Sequence, residues 1–294
     1  MKSKPIPWTR PFFKRGCPCG ATRKSYECCW RGDGHWEKTP VGAIARNGSL
    51  ANDRCYLSPL GGCGLKITKE HFVSRNILER IATKTLRFEN AGHFFGGKNL
   101  VEIGIDDFSA KVLCDKHNSS LSDLDTSAGL AFSTIEALSE DLVGTATPGG
   151  PDDVFHLSSG LDIERWMVKV YCGMVAAKKI RGLSGKVVQR TDLDRLLLEA
   201  LVGIASLPAP LGLYVHTFVG QTLTSKSLSF GTVQLTDGSG GVGGLMLSLG
   251  VMHFVLVTSP KYGQTFRDQN WRRHQTLAWN VKLGRARIGY LFTY

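Results

Sequence analysis

From Leu121 onward, apolar residues return every three or four positions: Leu121, Leu124, Ala128, Ala131, Phe132, Ile135, Leu138 and Leu142. That period puts them on one face of a helix. Upstream, KITKEHFVSRNILERIATKTL reads as a short strand running into a second helix, and LDIERWMVKVYCGMVAAKKI and TDLDRLLLEALVGI carry two more helical patterns. Beyond residue 210 the pattern changes. GLYVHTFVG, LSFGTVQL, GLMLSLGVMHFVLVTS and RARIGYLFTY are rich in β-branched and aromatic residues and are separated by glycine-rich turns. They predict an antiparallel sheet of four to six strands, so the fold class is α+β. The glycine-dense GSGGVGG, residues 238–244, lacks a phosphate loop's position between strand and helix, and reads as a hairpin connection or mobile loop.

Composition divides the chain into a cysteine-rich basic head (1–48), a middle region (49–146) and a remainder (147–294) introduced by the turn-rich TATPGGPDD. A chain of 294 residues accommodates one large domain with appendages, or two domains. No apolar run approaches the roughly 20 residues that span a bilayer, and the basic N-terminus has no apolar core like that of a secretory signal. The expectation is a soluble cytoplasmic protein with no membrane partner; self-association is left open.

The net charge of +11 belongs to the two ends of the chain. Residues 1–50 carry ten Lys and Arg against three Asp and Glu, and residues 261–294 carry seven against one. Both ends interleave the charge with aromatic residues, a combination that suits phosphate contact and base stacking, so nucleic acid is the expected partner. Arg267, Arg272 and Arg273, in TFRDQNWRRH, and Lys111 are the candidate contacts. Ordinary solvated surface is the plain alternative.

Seven of the eight cysteines precede residue 115, and in a reducing compartment such clustering points to metal rather than disulfides. The exception, Cys172, lies within an apolar helical pattern and reads as a core residue. Cys17, Cys19, Cys28 and Cys29 pack four soft ligands into thirteen residues, enough for zinc to fold a segment too short to bury a core of its own. This stretch, CPCGATRKSYECC, also resembles the SEC-C motif, a small zinc module appended to many proteins. The resemblance implies a docking or binding module that could contact a protein partner, as could the C-terminal sheet.

The second set is spread further. Cys55 and Cys63 flank the turn YLSPLGG, while Cys114 and His117 have the spacing of a half-site at a helix start. Two such halves make a tetrahedral Cys3His zinc site. Between them lies Glu70–His71, and directly after His117 stands Asn118. This order resembles the HNH nucleases of the His-Me finger superfamily, whose ββα-metal core often carries a structural zinc. The resemblance implies that His71 is the general base and that Glu70 and Asn118 are ligands of a catalytic ion. Oxygen donors of that kind suit Mg²⁺ or Mn²⁺, and an imidazole with a pKa near 6.5 suits a base at neutral pH. The family's central asparagine has no clear match. Asn99, in GGKNL, is the candidate, with Ser109 and Lys111 as alternatives.

His93, His156, His216, His253 and His274 have no partners at ligand spacing, and Asp123 and Asp125 read as solvent-facing or capping, with contact to the catalytic ion as the alternative. The function expected from the resemblance is therefore a DNA endonuclease with two structural zinc ions and a catalytic Mg²⁺ or Mn²⁺; by family analogy it would act against phage or other foreign DNA. An RNA-directed nuclease and a catalytically inert, zinc-held adaptor are the alternatives.

Overall fold

The computed structural model describes residues 50–82, 84–89, 94, 98, 100–143, 153–182, 184–217, 228–235, 239–249, 252–261, 277–283 and 286–293. The SEC-C-like cysteines Cys17, Cys19, Cys28 and Cys29, the candidate Asn99, and Arg267, Arg272 and Arg273 lie outside the described residues. The chain is a mixture of helix and sheet. Its order is β1 (Ile67–His71), α1 (Arg75–Ile81), β2 (Thr85–Glu89), β3 (Leu100–Gly104), β4 (Ser109–Cys114), α2 (Asp115–Val143), β5 (Asp153–Ser159), α3 (Gly160–Ala176) and α4 (Arg195–Leu201). There follow β6 (Gly212–Thr217), β7 (Leu228–Gln234), β8 (Val242–Leu249), β9 (Met252–Val257), β10 (Leu277–Leu283) and β11 (Ala286–Thr293).

Two short antiparallel pairs, β1 with β4 and β2 with β3, precede the long helix α2. Beyond α3, the strands β6-β9-β8-β7 form an antiparallel sheet in that order. The expectation of one C-terminal sheet needs correcting. RARIGYLFTY, as β11, does not join that sheet but pairs antiparallel with β10 and parallel with β5. A parallel partner comes from a distant part of the chain and needs no local turn, so β5 leaves no hairpin signature in the sequence. The glycine-dense stretch does connect two antiparallel strands, β7 and β8.

The predicted stripe of α2 is buried from Leu121 through Leu124, Ala128, Ala131 and Phe132 to Ile135. It packs on α3, which also meets β4, α4, β6, β8 and β9. A helix covered on every side must be apolar all round, and α3 is buried from Ile163 to Val175. Its polar exceptions are paired, as burial requires. The Glu164 carboxylate accepts from the Leu213 N–H at 2.8 Å, and Arg165 Nε donates to the Leu201 carbonyl at 3.0 Å. Lys169, the third, reaches toward β1. Cys172 is fully buried in this helix, as its sequence context implied.

Trp166 joins the two long helices. It has no exposed surface, meets Phe132 edge-on at 5.5 Å between ring centres, and donates its indole N–H to Ser74 Oγ at 2.7 Å. Replacing Trp166 with alanine is expected to cost about 3–5 kcal/mol, read as a lower urea midpoint, because it opens a cavity and strips a hydrogen bond together. Buried side chains from Cys55 to Leu256 form one continuous cluster. Among the described residues, no helix is long and apolar enough to cross a membrane.

Candidate metal centre and adjoining polar site

Cys55, Cys63, Cys114 and His117 come together as the spacing predicted. Their ligand atoms all lie within 4.8 Å of one another, and all four residues are buried. His117 Nδ1 is 3.4 Å from Cys55 Sγ, 3.8 Å from Cys63 Sγ and 3.3 Å from Cys114 Sγ. Tetrahedral zinc with ordinary bond lengths would space sulfur and nitrogen ligands roughly 3.5 Å apart, so the group fits such an ion. Three buried thiols and an imidazole facing one another could hold a metal such as zinc.

Local backbone explains how the halves meet. The Tyr56 N–H donates to the Val112 carbonyl at 3.0 Å, tying the first loop to β4. Gly61 and Gly62 have φ of 76° and 71°, a left-handed turn that returns the chain to Cys63. β4 ends at Cys114 and α2 begins at the next residue, which brings His117 to the cluster one turn later. The N–H groups of Gly64 and His117 donate to Cys114 Sγ at 3.2 and 3.4 Å, fixing the sulfur between the loop and the start of α2. Burial pushes the Cys55 thiol well up and the His117 imidazole down to about 4, the latter with help from Lys116. His117 is therefore neutral at pH 7, the form that ligates.

The same α2 start carries Asn118 onto β1. Its amide nitrogen donates to Thr68 Oγ1 at 3.0 Å and to the Lys69 carbonyl at 3.1 Å. Both bonds use the nitrogen, which leaves the amide oxygen for a ligand. Thr68 and Glu70 share one face of the strand, and Asn118 and Asp125, seven residues apart, share one face of the helix. Glu70 and Asn118 make no hydrogen bond to each other among the described residues.

Glu70 meets an unexpected partner. Its carboxylate forms an ion pair with Lys169 of α3, and the same ammonium is held by Asp125 at 2.6 and 2.7 Å. Ser74 Oγ donates to Asp125 at 2.5 Å and accepts from Trp166, so the network runs into the core. Asp125 is thus neither a local cap nor simply solvent-facing. Burial pushes the Glu70 carboxyl up to about 7 against the pull of Lys169, with Asp125 adding to the rise. Burial also opposes the charge on Lys169, but Glu70 and Asp125 outweigh it and hold the ammonium above the usual lysine range. The sequence did carry a signal here: a lone lysine in WMVKVYCGMV must find an acid if that helix is buried.

His71 projects to the other face of β1 from Glu70. Its Nε2 is buried without a hydrogen-bond partner, 3.9 Å from Asp106 Oδ1. Asp106 sits in the 3-10 turn between β3 and β4 and is also paired with Arg75 at 3.0 Å. Burial, and then the charge of Arg75, lower the His71 pKa from its ordinary value, so the imidazole is neutral at pH 7. Sequence reasoning missed Asp106, which nothing in IGIDD distinguishes from a surface turn. Ser109, an alternative for the central asparagine, instead donates to the Asp106 carbonyl at 2.6 Å. Lys111 is exposed on β4, directly across from the exposed Lys69. Among the other histidines, His253 Nδ1 is 2.6 Å from Ser248 Oγ, in the C-terminal sheet. In comparisons with family models, curated proteins and solved structures, none matches this chain.

Proposed function

We propose that the chain is a metal-dependent endonuclease of the HNH type, hydrolysing phosphodiester bonds in DNA. One observation carries the reading: a Cys3His group fit for zinc sets the first turn of α2, with Asn118, onto the strand that ends in Glu70–His71. These are the three residues that the resemblance assigns to the reaction. His71 is neutral at pH 7, as a general base must be. With Nε2 turned toward Asp106, Nδ1 is the nitrogen that takes a proton from water. The negative charge of Asp106 favours the imidazolium so formed. Glu70 and Asn118 supply oxygens for Mg²⁺ or Mn²⁺, an ion that would neutralise charge on the phosphate and on the leaving oxygen. Lys69 and Lys111, exposed on β1 and β4, offer positive charge to the nucleic-acid backbone.

A second reading is a catalytically inert, zinc-held binding module, favoured by the engagement of Glu70 with Lys169. Plasmid DNA and an RNA of similar length, incubated with the zinc-loaded protein in Mg²⁺, Mn²⁺ or EDTA, separate the two. The expected result is DNA nicking in either metal, none in EDTA, and at least about a tenfold loss in Asn118→Ala. Preference for RNA would change the substrate and leave the site. A wild type inert on both polymers with its zinc in place would leave only the binding module.

A further inference from the structure

Lys169 holds the carboxylates of the proposed ion site. Three carboxylate oxygens, one from Glu70 and two from Asp125, converge on its ammonium, which has three hydrogens to give. The acids come from β1 and α2, and the cation from α3. Lys169 and Glu70 side chains are 2% and 7% exposed, whereas Asp125 is 28% exposed, so the group opens to solvent on the Asp125 side. Hard oxygen donors converging on one point are the donor set of a divalent ion as much as of an ammonium. An ammonium and a divalent ion drawn to the same oxygens repel each other at short range in a poorly screened site, so each weakens the hold of the other.

We propose that Lys169 is an internal competitor for the divalent ion. Its ammonium occupies the oxygens of Glu70 and Asp125 that the ion would take, Asp125 is a further ligand, and loading requires the lysine side chain to withdraw. The inference rests on the proposed reading of Glu70 as an ion ligand. It also explains how the ligand carboxylates can be drawn together by protein alone, and why α3, a helix apolar almost throughout, carries a lysine there. The helix need not move. Glu164 and Arg165 anchor it to Leu213 and Leu201, while the lysine stem is long enough to turn aside by rotation.

Mn²⁺ binding to the full-length, zinc-loaded protein, measured by calorimetry, tests the inference. Lys169→Met removes the charge and keeps the unbranched stem, and is expected to tighten Mn²⁺ binding at least about tenfold. Asp125→Asn in the Lys169→Met background is expected to reverse the gain, and Lys169→Arg to show none. If Lys169→Met loses its fold, Lys169→Gln is read in the same titration, alongside the rise in melting temperature that Mn²⁺ gives each protein. That rise should be larger in the variant than in the wild type. Equal Mn²⁺ affinity in wild type and variant would overturn the competition, while metal-dependent DNA nicking by the wild type would keep the nuclease reading standing. Absence of Mn²⁺ binding from both proteins would overturn the competition and the assignment of Glu70 together.

Discussion

Replacing Cys114 with serine is expected to destabilise the whole core rather than loosen it locally. Cys114 closes β4 and stands immediately before α2, and its sulfur accepts from two backbone N–H groups besides facing His117. A structural zinc contributes about 10–16 kcal/mol to the folding of small zinc modules, as much as the 5–15 kcal/mol that holds a whole domain folded. Serine cannot replace a thiolate there, and three buried ligands would be left facing one another. The variant should retain one zinc equivalent fewer than wild type by elemental analysis. Its thermal transition should fall by more than about 10 °C, several kcal/mol at roughly 2–4 °C each. Cys172→Ser is the control, since Cys172 is equally buried but lies outside the metal group. Its zinc content should match wild type. Unchanged zinc and melting in Cys114→Ser would refute the centre.

The second large effect concerns rate. His71→Ala is expected to lower the rate of metal-dependent DNA cleavage about 10²–10⁴-fold, the range a positioned general base contributes. Stability should change little by comparison. The His71 side chain is 23% exposed, its Nε2 makes no hydrogen bond that the substitution would break, and the residues of the candidate metal group are elsewhere. Zinc content and melting temperature therefore serve as the internal check on folding. Asp106→Asn keeps the size of the neighbouring side chain and removes its charge, so it should give a smaller loss. A His71→Ala protein that cleaves at the wild-type rate would remove His71 from the chemistry.

The metal group was legible because its grammar is local. Cys114 and His117 announce a half-site by their spacing, Cys55 and Cys63 by the turn they flank, and a ligand type needs no knowledge of what packs around it. The apolar stripe of α2 was legible for a similar reason, since Leu121 through Ile135 repeat with the period of the helix.

Partners are a different matter. A periodic pattern tells which face of an element is apolar but not which element covers it, and a single charged residue tells that a counter-charge exists but not where. Lys169 was visible in its apolar helix, yet only the approach of α3 to β1 and α2 made Glu70 and Asp125 its acids. Asp106 became the neighbour of His71 because the turn before β4 lies beside the end of β1, where the Phe72 N–H meets the Phe108 carbonyl at 3.2 Å. The parallel pairing of β11 with β5 joined two ends of a long stretch of chain, a contact that no turn residue encodes. The two halves of the candidate metal group and the faces of the helices were readable along the chain, because each depends on residues near one another in it. Which charges meet, and which strands share a sheet, emerged with the packed fold alone, because those contacts are made by burial across long separations.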